Sequence, residues 1–260
     1  FESLANKHHV GQKLRSATRW DQFVGMSMSQ VSGRQSLRDI QSNLESQSQK
    51  LYHLGAKPIA RSTLSRLNDK QPASLYEALF YQLLDRCKSQ PSHQKFRFKN
   101  PLYSLDASAI DLSLNLFPWA AHRDDTANIK LSVGLNHGTM IPEFVALSDG
   151  QENDMVQGRQ FDFPRGSIVA FDKGYVDYGW FKSLTDKGVF FVTRVRTRSV
   201  YKVLARRPII HNNGVTSDQT IQLNSAHAIK RGAPKLRRVG YRDADTGKFY
   251  EFLTNNFALS

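Results

Sequence analysis

The sequence predicts an α/β protein in which a mixed sheet follows an all-helical domain and precedes a further β-rich stretch. Three observations carry that prediction. Apolar residues recur at three- and four-residue steps through the first third of the chain, then at alternate positions or in short continuous runs. A polar, basic, proline-containing segment, Lys88 to Asn100, separates the two textures. Beyond it, three strand-like runs are followed by strands linked through helices, the order needed to join an antiparallel meander to parallel crossovers.

In the helical part, Ala17, Trp20, Phe23, Val24, Met28 and Val31 give one apolar face between Lys13 and Ser32, and Gly33 ends the run. Ser36 caps a second helix, with Asp39 three residues on and Leu37, Ile40 and Leu44 on its buried side. Ser62 or Thr63 precedes a short segment bearing Leu64 and Leu67. Pro72 takes a first-turn position before a longer helix burying Leu75, Leu79, Phe80, Leu83, Leu84 and Cys87. A boundary near residue 98 gives 1–98 as helical domain and linker, 99–195 as core and 196–260 as the β-rich remainder.

In the core, 102–108, 129–135 and 141–147 read as strands, the last two joined at His137-Gly138-Thr139 as a hairpin. Residues 154–161 read as a helix, 167–171 as a buried strand, 178–186 as a helix and 189–194 as a buried strand. Three strands, a helix, a strand, a helix and a strand is the order of a ribonuclease H-like fold. After residue 195 the runs 200–204, 208–210, 220–223, 237–243 and 249–253 are β-like, with Asp245-Thr246-Gly247 as a turn between the last two.

Composition narrows the function classes. Hydrophobic residues at 40% and charged residues at 23% fit a soluble globular chain. No run of about 18 apolar residues is present, which excludes a membrane-spanning helix. A lone cysteine, Cys87, excludes an internal disulfide framework and any cysteine-rich zinc site, and suits a reducing cytoplasm. The opening Phe1-Glu2-Ser3 has neither a signal pattern nor an initiator methionine, as expected of a fragment of something longer. The net charge of +13 favours a polyanionic partner. It is concentrated in residues 1–100, where 16 basic side chains face 7 acidic ones.

The chemistry centres on Asp106 and Asp172. In Leu102-Tyr103-Ser104-Leu105-Asp106-Ala107-Ser108, strand alternation puts Asp106 on one face with Ser104 and Ser108. The apolar run 167–171 delivers Asp172 at its carboxyl end. In the proposed topology the first and fourth strands are parallel neighbours, so the two acids meet where open α/β sheets place their ligands. Adjacent carboxylates repel unless a cation sits between them. Hard divalent ions take such oxygen ligands, and a metal pair about 3.5–4 Å apart serves phosphoryl transfer. A strand-end aspartate serves equally well as a turn former or a helix N-cap.

At these residues the chain resembles a bacterial insertion-sequence transposase of the DDE type, a cut-and-paste enzyme with a ribonuclease H-like core. Residues 31–40 and 60–66 are similar to the helical N-terminal domain of one branch of that family. Residues 105–112 with 116–120 resemble the segment bearing its first catalytic aspartate, and 170–177 the segment bearing the second. Residues 190–194 and 252–257 resemble the strands flanking a β-rich insertion. The resemblance implies metal-dependent endonuclease nicking at insertion-sequence ends, then attack of the freed 3′-hydroxyl on target DNA. Asp106 and Asp172 would each hold Mg2+ or Mn2+, with Tyr175 packed nearby and Lys173 touching phosphate.

It also implies double-stranded DNA as partner, a homodimer formed on that DNA, and a nucleoid-associated place in the bacterial cytoplasm, away from membranes. The family's third acid is a glutamate on a helix after the insertion, within a Tyr…Arg-Trp…Glu pattern that has no counterpart before Ser260. Glu251 is the nearest glutamate, but it lies in a predicted strand and outside that motif. The chain thus reads as truncated before the third acid and incomplete as a catalyst. A DNA-binding remnant and a two-metal nuclease of the same fold are the alternatives.

Arg34, Arg38, Arg61 and Arg66 lie on or beside short basic helices, as a helix-turn-helix-like reader of DNA ends requires; a solvated helix face has the same composition. Arg194, Arg196, Arg198, Arg206 and Arg207 leave the fifth core strand as a second basic cluster, suited to a DNA channel. Trp119 and Trp180 read as core anchors. His8-His9, His122 and His137 lack metal-ligand spacing. Asp111 and Asp177 are candidates to support the metal ligands, whereas Asp124-Asp125, Glu152 and Asp154 read as loop or cap residues. No phosphate-loop, dinucleotide, zinc-protease or nucleophile-elbow motif is present.

Overall fold

The computed structural model describes residues 1–87, 98–112, 121–123, 126–150, 152, 154–209 and 214–259. The chain divides into two compact units, Phe1–Ser89 and Gln90–Ser260.

The first unit is helical: α1 (Glu2–Lys7), α2 (Arg19–Val31), α3 (Leu37–Ser46), α4 (Ser48–His53), α5 (Arg61–Lys70) and α6 (Ser74–Cys87). Helix α2 starts after Thr18 rather than near Lys13 because Thr18 and Asp21 form a reciprocal capping box. The Asp21 N–H donates to Thr18 Oγ1 at 3.0 Å, and the Thr18 N–H donates to Asp21 Oδ2 at 2.8 Å. Asp21 Oδ1 also accepts the Lys57 N–H at 2.9 Å, so the cap pins the loop ahead of α5. Past the C-terminal end of α2, Gly33 takes a left-handed φ of +64° that favours glycine. Val31, expected on the apolar face, is 91% exposed on the last turn.

The expected cap of α3 forms, with the Asp39 N–H donating to Ser36 Oγ at 3.1 Å. Helix α5 begins at Arg61, ahead of Ser62 and Thr63, because Gln41 of α3 supplies its Oε1 to the Arg61 N–H at 2.8 Å. A side chain from a neighbouring helix thus satisfies a donor that a local cap would otherwise serve. Ala17, Val24, Ile40, Leu44, Leu51, Ile59, Leu64 and Leu67 close one core. Helix α6 starts two residues beyond Pro72 and buries Leu75 and Leu84, while Leu83 is exposed.

The second unit runs β1 (Leu102–Leu112), β2 (Ala121–Arg123), β3 (Thr126–Asn136), β4 (Ile141–Asp149), α7 (Asp154–Gln160), β5 (Ile168–Phe171), a 3-10 turn (Lys173–Tyr175), α8 (Tyr178–Asp186) and β6 (Phe190–Arg194). It continues through β7 (Tyr201–Arg206), β8 (Val215–Leu223), α9 (Ala226–Lys230), β9 (Lys235–Arg242) and β10 (Phe249–Thr254). The strands form one ten-stranded sheet in the order β2-β3-β1-β5-β6-β10-β9-β8-β7, with β4 also paired to β3.

Pairing is antiparallel for β1–β3 and β3–β4, and parallel for β1–β5 and β5–β6. The central order β4-β3-β1-β5-β6 is therefore the ribonuclease H-like arrangement expected from the element sequence. Strand β10 returns antiparallel to β6 and carries β9, β8 and β7 outward, so the β-rich stretch extends the core sheet. The expected strand at 208–210 does not form at Pro208 and Ile209, and Ile210 lies outside the described residues.

Tyr103, Leu105, Val169, Phe171, Trp180, Phe181 and Phe191 belong to one core on a single face of the central strands. Its tightest ring contact stacks Phe181 of α8 on Phe191 of β6 at 4.3 Å between centroids. Trp180 is a core anchor at 4% exposure, as expected; Trp119 lies outside the described residues. No helix of the described residues is long and apolar enough to cross a membrane.

Candidate active site

The packing that buries one face of β1 and β5 leaves two carboxylates on solvent. On β1, Tyr103 and Leu105 are buried at 3% and 2%, and the alternating position, Asp106, is exposed. On β5, Val169 and Phe171 are buried, and Asp172 follows at the carboxyl end, also exposed. The parallel register pairs Leu105 with Phe171, and an aspartate follows each: Asp106 within β1 and Asp172 just past the end of β5. Both acids line a single cavity of about 500 Å³, with Leu105, Ala170, Phe171, Val192, Thr193, Arg194 and Phe252 around them.

Neither carboxylate has a side-chain partner among the described residues that lies distant in sequence. Asp172 stands at the N-cap of the 3-10 turn, yet its side chain makes no capping hydrogen bond. Among the described residues, Asp106 Oδ1 accepts the neighbouring Ala107 N–H at 2.9 Å. Among the described residues no cationic side chain pairs with either acid. Two exposed oxygen donors of like charge suit a hard divalent cation that retains water and substrate phosphate as further ligands. Among the described residues, no group of three or more His, Cys, Asp or Glu side chains converges to hold a metal.

Sequence reasoning missed the device that steadies the loop after Asp172. Arg196 Nε donates to the Lys173 carbonyl oxygen at 3.1 Å. Arg194, Arg196 and Arg198 line a second cavity of about 620 Å³ with Tyr201, Phe249 and Tyr250, and Arg194 borders both cavities. The Arg194 guanidinium lies over the Tyr250 ring, 5.4 Å from its centroid. Lys173 is exposed beside Asp172, and Tyr175 is buried against Phe171 with ring centroids 6.2 Å apart.

Other candidates are placed elsewhere. Asp177 accepts the Trp180 N–H at 2.7 Å as the cap of α8 and pairs with Arg159 Nη2 at 2.8 Å. Burial raises its proton affinity, but the bond from Trp180 and the nearby Arg159 and Arg231 outweigh it, and the carboxyl titrates below its ordinary range. Asp111 is exposed on β1, well beyond the paired acids. Glu251 is ion-paired with Arg238. His137 Nε2 lies 3.0 Å from Ser104 Oγ on the strand that carries Asp106, a partnership its sequence position did not show. Residues 116–120 and Asp124-Asp125 lie outside the described residues.

In the helical unit, Arg34 pairs with Asp39 at 3.3 Å and Arg38 is exposed on α3. Arg61 and Arg66 are exposed on α5 and line a depression of about 430 Å³ with Leu37, Ser62, Ser65 and Asp69.

A ribonuclease H-like sheet with one acid on β1 and the other just past the carboxyl end of the adjacent parallel strand β5 defines the class of this second unit. Its particular membership follows from sequence comparison. The chain belongs to the transposase DDE domain family, whose model matches residues 97–252. Residues 1–57 match a domain of unknown function, DUF4372.

Among curated proteins, one from Sinorhizobium fredii named as transposase y4zB is 28% identical over 206 residues, 78% of this chain and 55% of that one. A Geobacillus stearothermophilus protein named as a transposase for insertion sequence element IS5377 is 25% identical over 201 residues, 76% of this chain and 52% of that one. The chain spans about half the length of these relatives. A solved endonuclease V from Bacillus subtilis aligns with 70% of this chain and 76% of its own at 9% identity and a TM-score of 0.28, too distant to bear on the fold.

Proposed function

We propose that this chain is the catalytic portion of a DNA transposase that cuts and joins strands at insertion-sequence ends. Asp106 and Asp172 hold Mg2+ or Mn2+, and the arginine-lined cavity holds DNA. The observation that carries this reading is the Leu105–Phe171 register, which brings together two carboxylates without a cationic partner among the described residues, in a member of the DDE family. The relatives' transposase names, one of them for an insertion sequence, support the choice of substrate.

When bound, the divalent cation supplies the positive charge that activates an attacking oxygen and stabilises a leaving one. The chain's own residues do the rest. Strand β1 holds Asp106 within its hydrogen-bonded ladder and β5 delivers Asp172 one residue past its end, which holds ligand spacing better than long loops do. Arg194, Arg196, Arg198 and Lys173 neutralise phosphates beside the acids. Arg34, Arg38, Arg61 and Arg66 contribute binding charge from the helical unit. The partners are double-stranded insertion-sequence ends, target DNA and a second copy of the chain on that DNA, in the bacterial cytoplasm.

One observation favours a binding-only reading: two acids without a third converging ligand among the described residues hold a metal loosely. A single experiment separates the readings. The chain is incubated with end-bearing DNA, Mg2+ or Mn2+ and a target plasmid. Joined products support transposition, nicks alone support a nuclease of the same fold, and intact DNA supports a binding module. Calorimetric titration with Mn2+ is expected to show binding that Asp106→Asn and Asp172→Asn each abolish; an unchanged isotherm in both variants removes the two-carboxylate site.

A further inference from the structure

We infer that α5 is the sequence-reading helix of the helical unit, presenting Arg61, Ser62, Ser65 and Arg66 to base edges in the major groove of duplex DNA. The inference rests on DNA being the chain's partner, and it assigns a role that neither matched segment, 1–57 nor 97–252, covers. Helix α5 is held rigidly from behind. Leu64 is fully buried and Leu67 nearly so, and Gln41 of α3 anchors the first N–H of the helix. Its opposite side carries Arg61, Ser62, Ser65, Arg66 and Asp69, all exposed along one depression.

An idle solvated helix is commonly laced with ion pairs three or four residues apart. Among the described residues neither Arg61 nor Arg66 pairs with an acid, and Arg66 stands three residues from Asp69 without bridging to it. Two serines between the arginines keep that face low, so the backbone can approach closely. A helix about 10–12 Å across matches a major groove about 12 Å wide. Arginine forks recognise guanine edges bidentately, and serine hydroxyls serve any base.

Charge complementarity continues past the helix. Arg66 also borders a second cavity, of about 470 Å³, whose lining includes Lys13, Arg15 and Lys70 and no acid. These cations stand beside the reading face, where phosphates flank a groove-bound helix. By contrast, Arg34 is engaged with Asp39, and Arg38 lies outside the lining of both cavities.

The test is selection of duplexes from a pool with 20 randomised base pairs, using the full chain in EDTA so that no metal-dependent step contributes. The chain is expected to enrich a motif. Arg61→Ala or Arg66→Ala should lower affinity for that motif by roughly tenfold or more and relax particular positions. Arg61→Lys should keep salt-dependent binding to unrelated duplex while losing the preference, because it retains the charge and loses the fork. Lys13→Ala with Arg15→Ala should weaken all sequences alike and flatten the salt dependence by about one unit per cation.

Enrichment of the same motif by Arg61→Ala, Arg61→Lys and Arg66→Ala alike, or of no motif by the unaltered chain, overturns the inference. Because cleavage is never measured, failure here leaves the Asp106–Asp172 reading standing. Failure of the metal titration likewise leaves this one standing.

Discussion

Arg196 reaches from the segment after β6 to donate its Nε to the carbonyl oxygen of Lys173, 3.1 Å away. Lys173 directly follows Asp172, so this one bond ties the arginine cavity to the backbone that aims the second acid. The bond is exposed, and its net worth to folding is about 1 kcal/mol or less. In the proposed reaction its worth to positioning is larger, because small displacements of a reacting constellation cost disproportionately. Arg196→Ala should lower metal-dependent cleavage by about tenfold to a hundredfold and shift the Mn2+ dependence to higher concentration, with melting nearly unchanged. Arg196→Lys should restore DNA affinity without restoring the Mn2+ dependence, which separates positioning from charge. Full rescue by lysine would show that only the charge matters.

Much of this arrangement was legible in the sequence. Alternation along 102–108 placed Asp106 opposite the buried side, and the run 167–171 placed Asp172 at a strand end; both hold. The core order followed from counting strands and helices. What the sequence hid were contacts between distant segments. Gln41 serves α5 from another helix, so the start at Arg61 carries no local signal. Arg196 finds a backbone carbonyl, which has no residue type to recognise. Asp177 looked like a helper of the neighbouring acid, yet a helix start three residues ahead of Trp180 claims it.

The paired acids should weigh on stability in the absence of metal. Two exposed like charges on adjacent strands repel by up to about 1 kcal/mol at low salt. Asp172→Asn is therefore expected to raise the metal-free melting temperature slightly while removing any stabilisation by Mn2+, which arises from binding to the folded state alone. Thermal scans with and without Mn2+ check both halves. A lowered metal-free melting point would mean that Asp172 supports the fold.

Asp177 should make stability depend on acid pH. Its carboxyl is held below the ordinary range despite burial, by the Trp180 N–H, Arg159 and Arg231. A depressed folded value means that the contribution is complete above the unfolded carboxylate value, about 3.9, and is lost as pH falls through the lower folded value. Asp177→Asn keeps an acceptor for the cap but loses the charge, so the stability difference from the parent should shrink toward zero in strong acid. Asp177→Ala should cost about 1–2 kcal/mol at neutral pH through the lost cap. Urea unfolding at several pH values measures each quantity.

The sharpest stability prediction lies in the outer strands. Arg237 of β9 and Asp218 of β8 form a two-pronged pair, Nε to Oδ1 at 2.9 Å and Nη2 to Oδ2 at 2.6 Å, with both residues under 10% exposed. Arg237 Nη1 also donates to the carbonyl oxygens of Asn256 and Leu259, so the same guanidinium gathers the segment after β10. Asp218→Asn leaves a buried guanidinium without its counter-charge and should cost about 3–5 kcal/mol. Changing both residues to apolar ones of similar size should cost less than either single change, since no uncompensated charge is left. The carbonyls of Asn256 and Leu259 would still lose a donor, so the double change should loosen the segment after β10 even where global stability recovers. Urea unfolding together with amide exchange at Ala258 and Leu259 resolves the two effects. Additive losses in the double variant would show that the pair does not act as a unit.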